Sequence, residues 1–166
     1  MKKTLSILVQ NRPGVLSHVA GLITRRGYNV ESIAAGPTEN VKITRITLVA
    51  AGDEPVLDQI VKQVRKLVDV ISVEVMDPES ITGELAVVTV SAEGAKRGEL
   101  INLINILGLT LTDVREDSLT VMAAGQALAV EMALTSLGPF GIKALARTGL
   151  VSLTRPTGRQ AKEDAP

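Results

Sequence analysis

The sequence predicts an α+β protein built from two tandem βαββαβ modules. Two observations carry this. Short aliphatic runs with strand character alternate with longer segments whose apolar residues recur every three or four positions, and Gly or Pro marks the joints between them. The whole order then repeats, offset by about 80 residues, as an internal structural repeat.

In the first module Thr4–Val9 places Leu5, Ile7 and Val9 on one face of a strand. Residues 13–26 follow as an amphipathic helix with Val15, Leu16, Val19, Leu22 and Ile23 in its stripe, Pro13 at the first helical position and Gly27 ending it. Tyr28–Ala35 is a strand closed by Gly36-Pro37, and Lys42–Ala51 is another, rich in Ile, Thr and Val. Asp53 precedes a helix with Leu57, Ile60, Val61, Val64, Leu67 and Val68 on its apolar face. Val70–Met76 closes the module, with Ile71, Val73 and Val75 inward. This order is the ferredoxin-like arrangement, an antiparallel sheet with both helices on one face.

The second module repeats it: strand Leu85–Val90, a helix through Leu100, Ile101, Leu103, Ile104 and Leu107 stopping at Gly108, a hairpin of Leu109–Val114 and Ser118–Ala124, helix Leu128–Leu137, and an extended segment Ile142–Leu153 broken at Gly149. The expected domains are therefore 1–77 and 83–155, joined by a linker at 78–82. Residues 156–166 lack apolar periodicity and read as a disordered tail.

Composition excludes several classes. The 18 basic and 18 acidic residues cancel, and there are one Tyr, one Phe and no Trp, so neither the charge nor the stacking surfaces of a nucleic-acid binder are present. Without cysteine there are no disulfides or thiolate metal sites, in keeping with a cytoplasmic setting. The apolar run after Lys2-Lys3 stops at Gln10, too short for a signal peptide, and no stretch reaches membrane-spanning length. No phosphate loop, dinucleotide fingerprint, metal-ligand spacing or nucleophile elbow is found. The one histidine, His18, lies off the apolar stripe without a carboxylate partner nearby in sequence and reads as an exposed helix residue. A binding module is the default expectation.

One segment reads as a ligand site. Asn11-Arg12-Pro13-Gly14-Val15-Leu16 joins the first strand to the first helix, where unpaired N–H groups and the helix dipole favour a carboxylate. Gly14 carries no Cβ to hold a ligand off, and Asn11 offers a donor and an acceptor. Ordinary strand-to-helix punctuation is the competing reading. The second module has Ser91-Ala92-Glu93-Gly94 instead, and Glu93 at that helix start opposes a carboxylate, so only the first module is expected to bind an amino acid.

That loop, followed by Gly27-Tyr28-Asn29-Val30, resembles an ACT domain. The longer string Arg25–Ile33, then Gly36-Pro37-Thr38-Glu39, Ile43-Thr44-Arg45-Ile46-Thr47, Gly52-Asp53-Glu54, Lys66–Val70, Gly141-Ile142 and Ala146-Arg147-Thr148-Gly149, resembles the acetolactate (acetohydroxyacid) synthase small subunits over residues 1–155. The resemblance implies an N-terminal ACT domain, a C-terminal ferredoxin-like domain and no catalytic site in this chain. It implies a large catalytic partner carrying thiamine diphosphate, Mg²⁺ and FAD, stimulated by this subunit and made sensitive to valine, leucine or isoleucine. It also implies a homodimer through the ACT domains and an effector site of Asn11, Arg12, Pro13, Gly14, Val15, Leu16, Asn29, Val30, Ile33 and Gly36, the loop of Asn11 and Gly14 coming from one chain and Asn29 and Val30 from its neighbour. Two features depart from the family pattern, Gly83 where an arginine is expected and the apolar helix start Gly125-Gln126-Ala127-Leu128-Ala129. The alternative is a stand-alone ACT-type amino-acid-binding regulator of another enzyme or of transcription, though no helix-turn-helix or basic patch accompanies the modules.

Overall fold

A computed structural model describes residues 1–155 of the chain, and the expected tail at 156–166 lies outside them. The chain divides into two compact units, Met1–Ile81 together with the chain from Leu150, and Thr82–Gly149. The segment from Leu150 thus sorts with the first unit, although it follows the second in sequence.

The first unit runs β1 (Lys2–Gln10), α1 (Val15–Arg26), β2 (Asn29–Pro37), β3 (Ile43–Ala51), α2 (Glu54–Val64) and β4 (Val70–Val75). Its sheet has the order β2-β3-β1-β4 with every neighbouring pair antiparallel. The alternation in β1 decides which face is covered: Leu5 and Ile7 stand opposite Leu48 and Ile46 of β3, and all four are buried. Val15, Val19 and Ile23 of α1 and Leu57, Ile60, Val61 and Val64 of α2 close the same core. Each fully buried aliphatic side chain contributes about 1.5–3 kcal/mol.

The second unit runs β5 (Ile81–Ser91), α3 (Lys96–Ile106), β6 (Thr110–Val114), β7 (Ser118–Gly125), α4 (Ala127–Leu137), a 3₁₀ turn at Gly138–Phe140, and β8 (Ile142–Arg147), in the sheet order β6-β7-β5-β8. This is the first unit's topology again, as the repeat predicted. Its core joins Ala86, Val88 and Val90 to Leu100, Ile104, Leu119, Val121, Val130, Leu134 and Leu137.

Four local expectations need correction. Pro13 is not the first helical residue: Gly14 adopts the left-handed φ of 89°, which no helix admits, so α1 begins at Val15. Gly36 and Pro37 do not close β2 but extend it, opposite Arg45 and Thr44, because β2 is an edge strand and tolerates a residue without an N–H. The second helix ends at Val64 in tight turns that lead to β4, leaving Val68 99% exposed rather than on the apolar face. In β4 a register shift puts Val70, not Ile71, opposite Val9, so Ile71 is exposed; Val75 at the strand's end is exposed too, leaving only Val73 of the three buried.

A bidentate ion pair ties the second unit together. Arg147 Nε and Nη2 donate to Glu84 Oε1 and Oε2 at 2.7 and 3.0 Å, and Nη1 donates to Glu131 Oε2 of α4 at 3.0 Å. The Glu84 side chain is only 6% exposed, so the guanidinium is its compensation for lost water. The bond to Glu84 raises the already high pKa of Arg147 further. Arg147→Ala should therefore destabilise the second unit by about 1–3 kcal/mol in urea unfolding, with faster amide exchange in β5 and none in β1. Glu131→Ala, which removes a solvated partner, should cost less than about 1 kcal/mol in the same measurement.

Candidate functional site

The predicted loop is a braced turn at one end of the first unit's sheet. At the close of β1 the Gln10 N–H donates to the Asp69 carbonyl at 2.9 Å. Asn11 then makes two bonds to the β2–β3 connection: its N–H donates to the Lys42 carbonyl at 2.7 Å, and its Nδ2 to the Val41 carbonyl at 2.8 Å. Arg12, Pro13, Gly14 and Val15 form a tight turn in which the Val15 N–H approaches the Arg12 carbonyl at 3.4 Å. The φ of 89° and ψ of −14° at Gly14 are those of the third residue of a type II turn, with Pro at its preferred second place. Pro13 preorganises the turn rather than the helix.

Gly14 is also the N-cap of α1, and its carbonyl accepts from the His18 N–H at 3.0 Å. No side chain caps the first-turn amides, and no acidic residue lies in that turn. The positive end of the helix dipole is therefore open, and a Cβ built on Gly14 would meet nothing within 4 Å. His18 is exposed as expected, yet the fold brings it a carboxylate: its Nδ1 lies 3.6 Å from Asp69 Oδ2, from the loop after α2.

The other predicted residues divide between core, turn and strand. Asn11, Arg12, Pro13, Gly14 and Leu16 are exposed around the turn, but Val15 is buried in its own unit's core. That placement removes Val15 from any surface that could enclose a ligand. In β2, Val30 packs partly against the core, while Asn29 and Ile33 are exposed on the edge strand. The register separates Asn29 from the turn. Asn29 stands opposite Ala51, which faces Lys2, whereas Gln10 faces Ile43 at the other end of β3. Eight residues of strand, about 25 Å, lie between the two ends. Within one chain only Gly36 reaches the turn's end of the sheet, opposite Arg45.

The second unit closes the corresponding place differently. Arg97 of α3 donates through Nη1 to the carbonyls of Arg115 at 2.8 Å, Glu116 at 3.0 Å and Ala92 at 3.4 Å, joining its β5–α3 loop to the β6–β7 turn. Glu93 lies ahead of the helix rather than in its first turn, because α3 begins at Lys96, and the first-turn acid is Glu99. Neither the Arg97 clamp nor the Asn11 tether to Val41 was legible in the sequence. The only local hint was Asn40, whose Oδ1 accepts from the Lys42 N–H at 3.0 Å and shapes the hairpin that Asn11 grips. Among the described residues no cluster of metal-ligating side chains is found, and no helix is long and apolar enough to cross a membrane.

Comparison with known proteins gives this architecture a family. Residues 5–72 match the AHAS small subunit-like ACT domain, and residues 83–156 match the family described as small subunit of acetolactate synthase. A probable acetolactate synthase small subunit of Archaeoglobus fulgidus is 41% identical over 155 residues, covering 93% of this chain and 98% of the relative. An acetolactate synthase small subunit of Mycobacterium bovis is 43% identical over 153 residues, covering 92% and 91%. The crystal structure of the Thermotoga maritima acetolactate synthase small subunit superimposes with a TM-score of 0.86 at 32% identity, covering 95% of this chain and 99% of that one. With both modules matched and more than nine-tenths of these relatives' lengths covered, the chain belongs to the acetolactate synthase small-subunit family.

Proposed function

We propose that this chain is the regulatory subunit of an acetolactate synthase, which binds and stimulates a catalytic subunit and makes it sensitive to valine or another branched-chain amino acid. The pathway served is branched-chain amino-acid synthesis, in the cytoplasm. Thiamine diphosphate, Mg²⁺ and FAD belong to the catalytic partner, and this chain works without a cofactor. The observation that carries the reading is the uncapped helix start above Gly14 with no acidic residue in its first turn, whereas the equally uncapped start of α3 has Glu99 in its first turn and a loop tied to the β6–β7 turn by Arg97.

The separation of Asn29 from the turn fits a shared site. If two copies pair antiparallel through the exposed edge of β2 near Ile33, the Asn29 end of one strand lies beside the Gly36 end of the other. The effector carboxylate then faces the first-turn amides of one α1, and its ammonium meets Asn29 of the neighbour. Leu16 and Ile33, 48% and 39% exposed, supply the apolar walls with Val30, and Val15 supports them from the core. Enclosing an isopropyl group contributes only about 1.5–3 kcal/mol, so valine, leucine and isoleucine are discriminated modestly. Such a site regulates by preferring one arrangement of the dimer, with a coupling on the order of 1–3 kcal/mol.

Calorimetric titration of the purified chain tests this. Wild type should bind valine saturably. Gly14→Ala should retain binding within about threefold, because the added methyl meets open space, while losing about 1–2 kcal/mol of stability to its left-handed backbone. Gly14→Asp, with like charge facing the carboxylate, should weaken binding at least about tenfold. Equal affinity of wild type and Gly14→Asp would place the effector elsewhere.

A further inference from the structure

His18 and Asp69 meet where the β1–α1 turn is held in place. Asp69 acts at two points: its carbonyl accepts from the Gln10 N–H at 2.9 Å, and its Oδ2 lies 3.6 Å from His18 Nδ1. His18 in turn closes the first hydrogen bond of α1, its N–H donating to the Gly14 carbonyl at 3.0 Å. The pair therefore links the residue before the turn, the glycine within it and the loop after α2. Helical side chains lean toward the helix N-terminus, so the imidazole of this fourth helical residue lies on the side of the first-turn amides. At 3.6 Å the contact is too long for a neutral hydrogen bond, and it becomes attractive when the imidazole carries a proton.

The surroundings make this pair the proton-dependent element of the turn. His18 is the single histidine of the sequence, which has no cysteine. Asp69 is the one acid within ion-pair distance of it among the described residues. Of the cations on the elements around it, Arg65 at the end of α2 is engaged with the Val73 carbonyl at 3.0 Å, and Arg12 and Lys66 are exposed. Arg25 and Arg26 lie in the last turn of α1. Arginine and lysine as residue types keep their charge near neutrality. The Met1 ammonium sits at the other end of β1, where it donates to the Gly52 carbonyl at 2.8 Å.

Resting on the effector reading above, we propose that His18 is a positioning residue whose protonated imidazole, paired with Asp69, strengthens the hold of the β1–α1 turn on the effector carboxylate. With a neutral imidazole, the Asp69 carboxylate stands near the helix start uncompensated and opposes a second carboxylate. With the imidazolium, that charge is offset and a positive charge is added beside the first turn. The same attraction draws α1 toward the loop whose carbonyl holds Gln10. The sign follows from these terms. The protonated form binds the effector more tightly, so affinity rises as pH falls through the range in which histidines gain a proton, and it levels off above that range. Both side chains keep contact with water, so the effect is a modest one.

The test is calorimetric titration of the full chain with valine at about pH 8 and about pH 6, at constant ionic strength. Wild type should gain about two- to fivefold in affinity at the lower pH, the size expected of one partly solvated charge near a helix terminus. His18→Gln should keep the weaker affinity at both pH values. His18→Arg, which is permanently charged, should bind at both as wild type does at the lower one. Asp69→Asn should raise the affinity at the higher pH, where a neutral imidazole leaves the acid unpaired. Ionisation of valine itself is common to all four proteins and cancels in the comparison. A wild-type affinity that ignores pH, or a pH dependence that survives in His18→Gln, overturns the proposal and leaves the effector reading standing. Absence of valine binding at either pH overturns the effector reading and this proposal with it.

Discussion

The left-handed backbone of Gly14 governs the β1–α1 end of the first unit. A type II turn through Arg12–Val15 needs a positive φ at its third place, and glycine supplies it without the penalty an L-residue incurs. That turn decides where α1 begins. Starting two residues later than the proline would suggest, the helix points Val15 into the core and leaves Leu16 outside. The same geometry leaves the first-turn amides facing open space with neither a side-chain cap nor an acid nearby. An uncapped helix start, an exposed Leu16 and open space beside Gly14 thus follow from a single backbone conformation.

The two units show how little of this is a property of the fold. Both have the order of an edge strand, two central strands and a second edge, and both place a positive-φ glycine before the first helix. Yet the first unit ties its loop to the neighbouring hairpin with one neutral amide, and the second does so with a guanidinium that caps three carbonyls. Neither helix start carries a side-chain cap, and the two differ in their first turns, which hold no acid in α1 and Glu99 in α3. The two units thus differ in which side chain makes the brace. The apolar helix start noted in the second unit remains visible in the structure, since Leu128 and Met132 of α4 are exposed, one turn apart.

Local physics was legible in the sequence and long-range pairing was not. Alternation in β1, the Ile, Thr and Val content of β3 and the stripe of α1 are sums over many residues, so the topology and the core could be read from them. The ends of elements depend on single residues in competition. Pro13 is compatible with both a helix start and a turn, and only the φ of Gly14 decides between them. Leu67 and Val68 continue a helical period that the chain abandons at Val64, because the path to β4 turns there. Ile71 continues an alternation that a register shift breaks. At the candidate site the residues of the turn could be named from local chemistry. The grip of Asn11 on Val41, the approach of Asp69 to His18 and the distance between Asn29 and the turn arise from strand register, which no local pattern encodes.

The central claim is that the first unit's β1–α1 turn, and not its counterpart in the second unit, receives the effector. Backbone amide shifts of the ¹⁵N-labelled chain titrated with valine test it most directly. The account predicts saturable shifts at Gly14, Val15, Leu16 and Ser17 and, through Asn11, at Val41 and Lys42, with Gly94–Gly98 silent. Shifts centred on Gly94–Gly98, with the Gly14 turn unmoved, would contradict it.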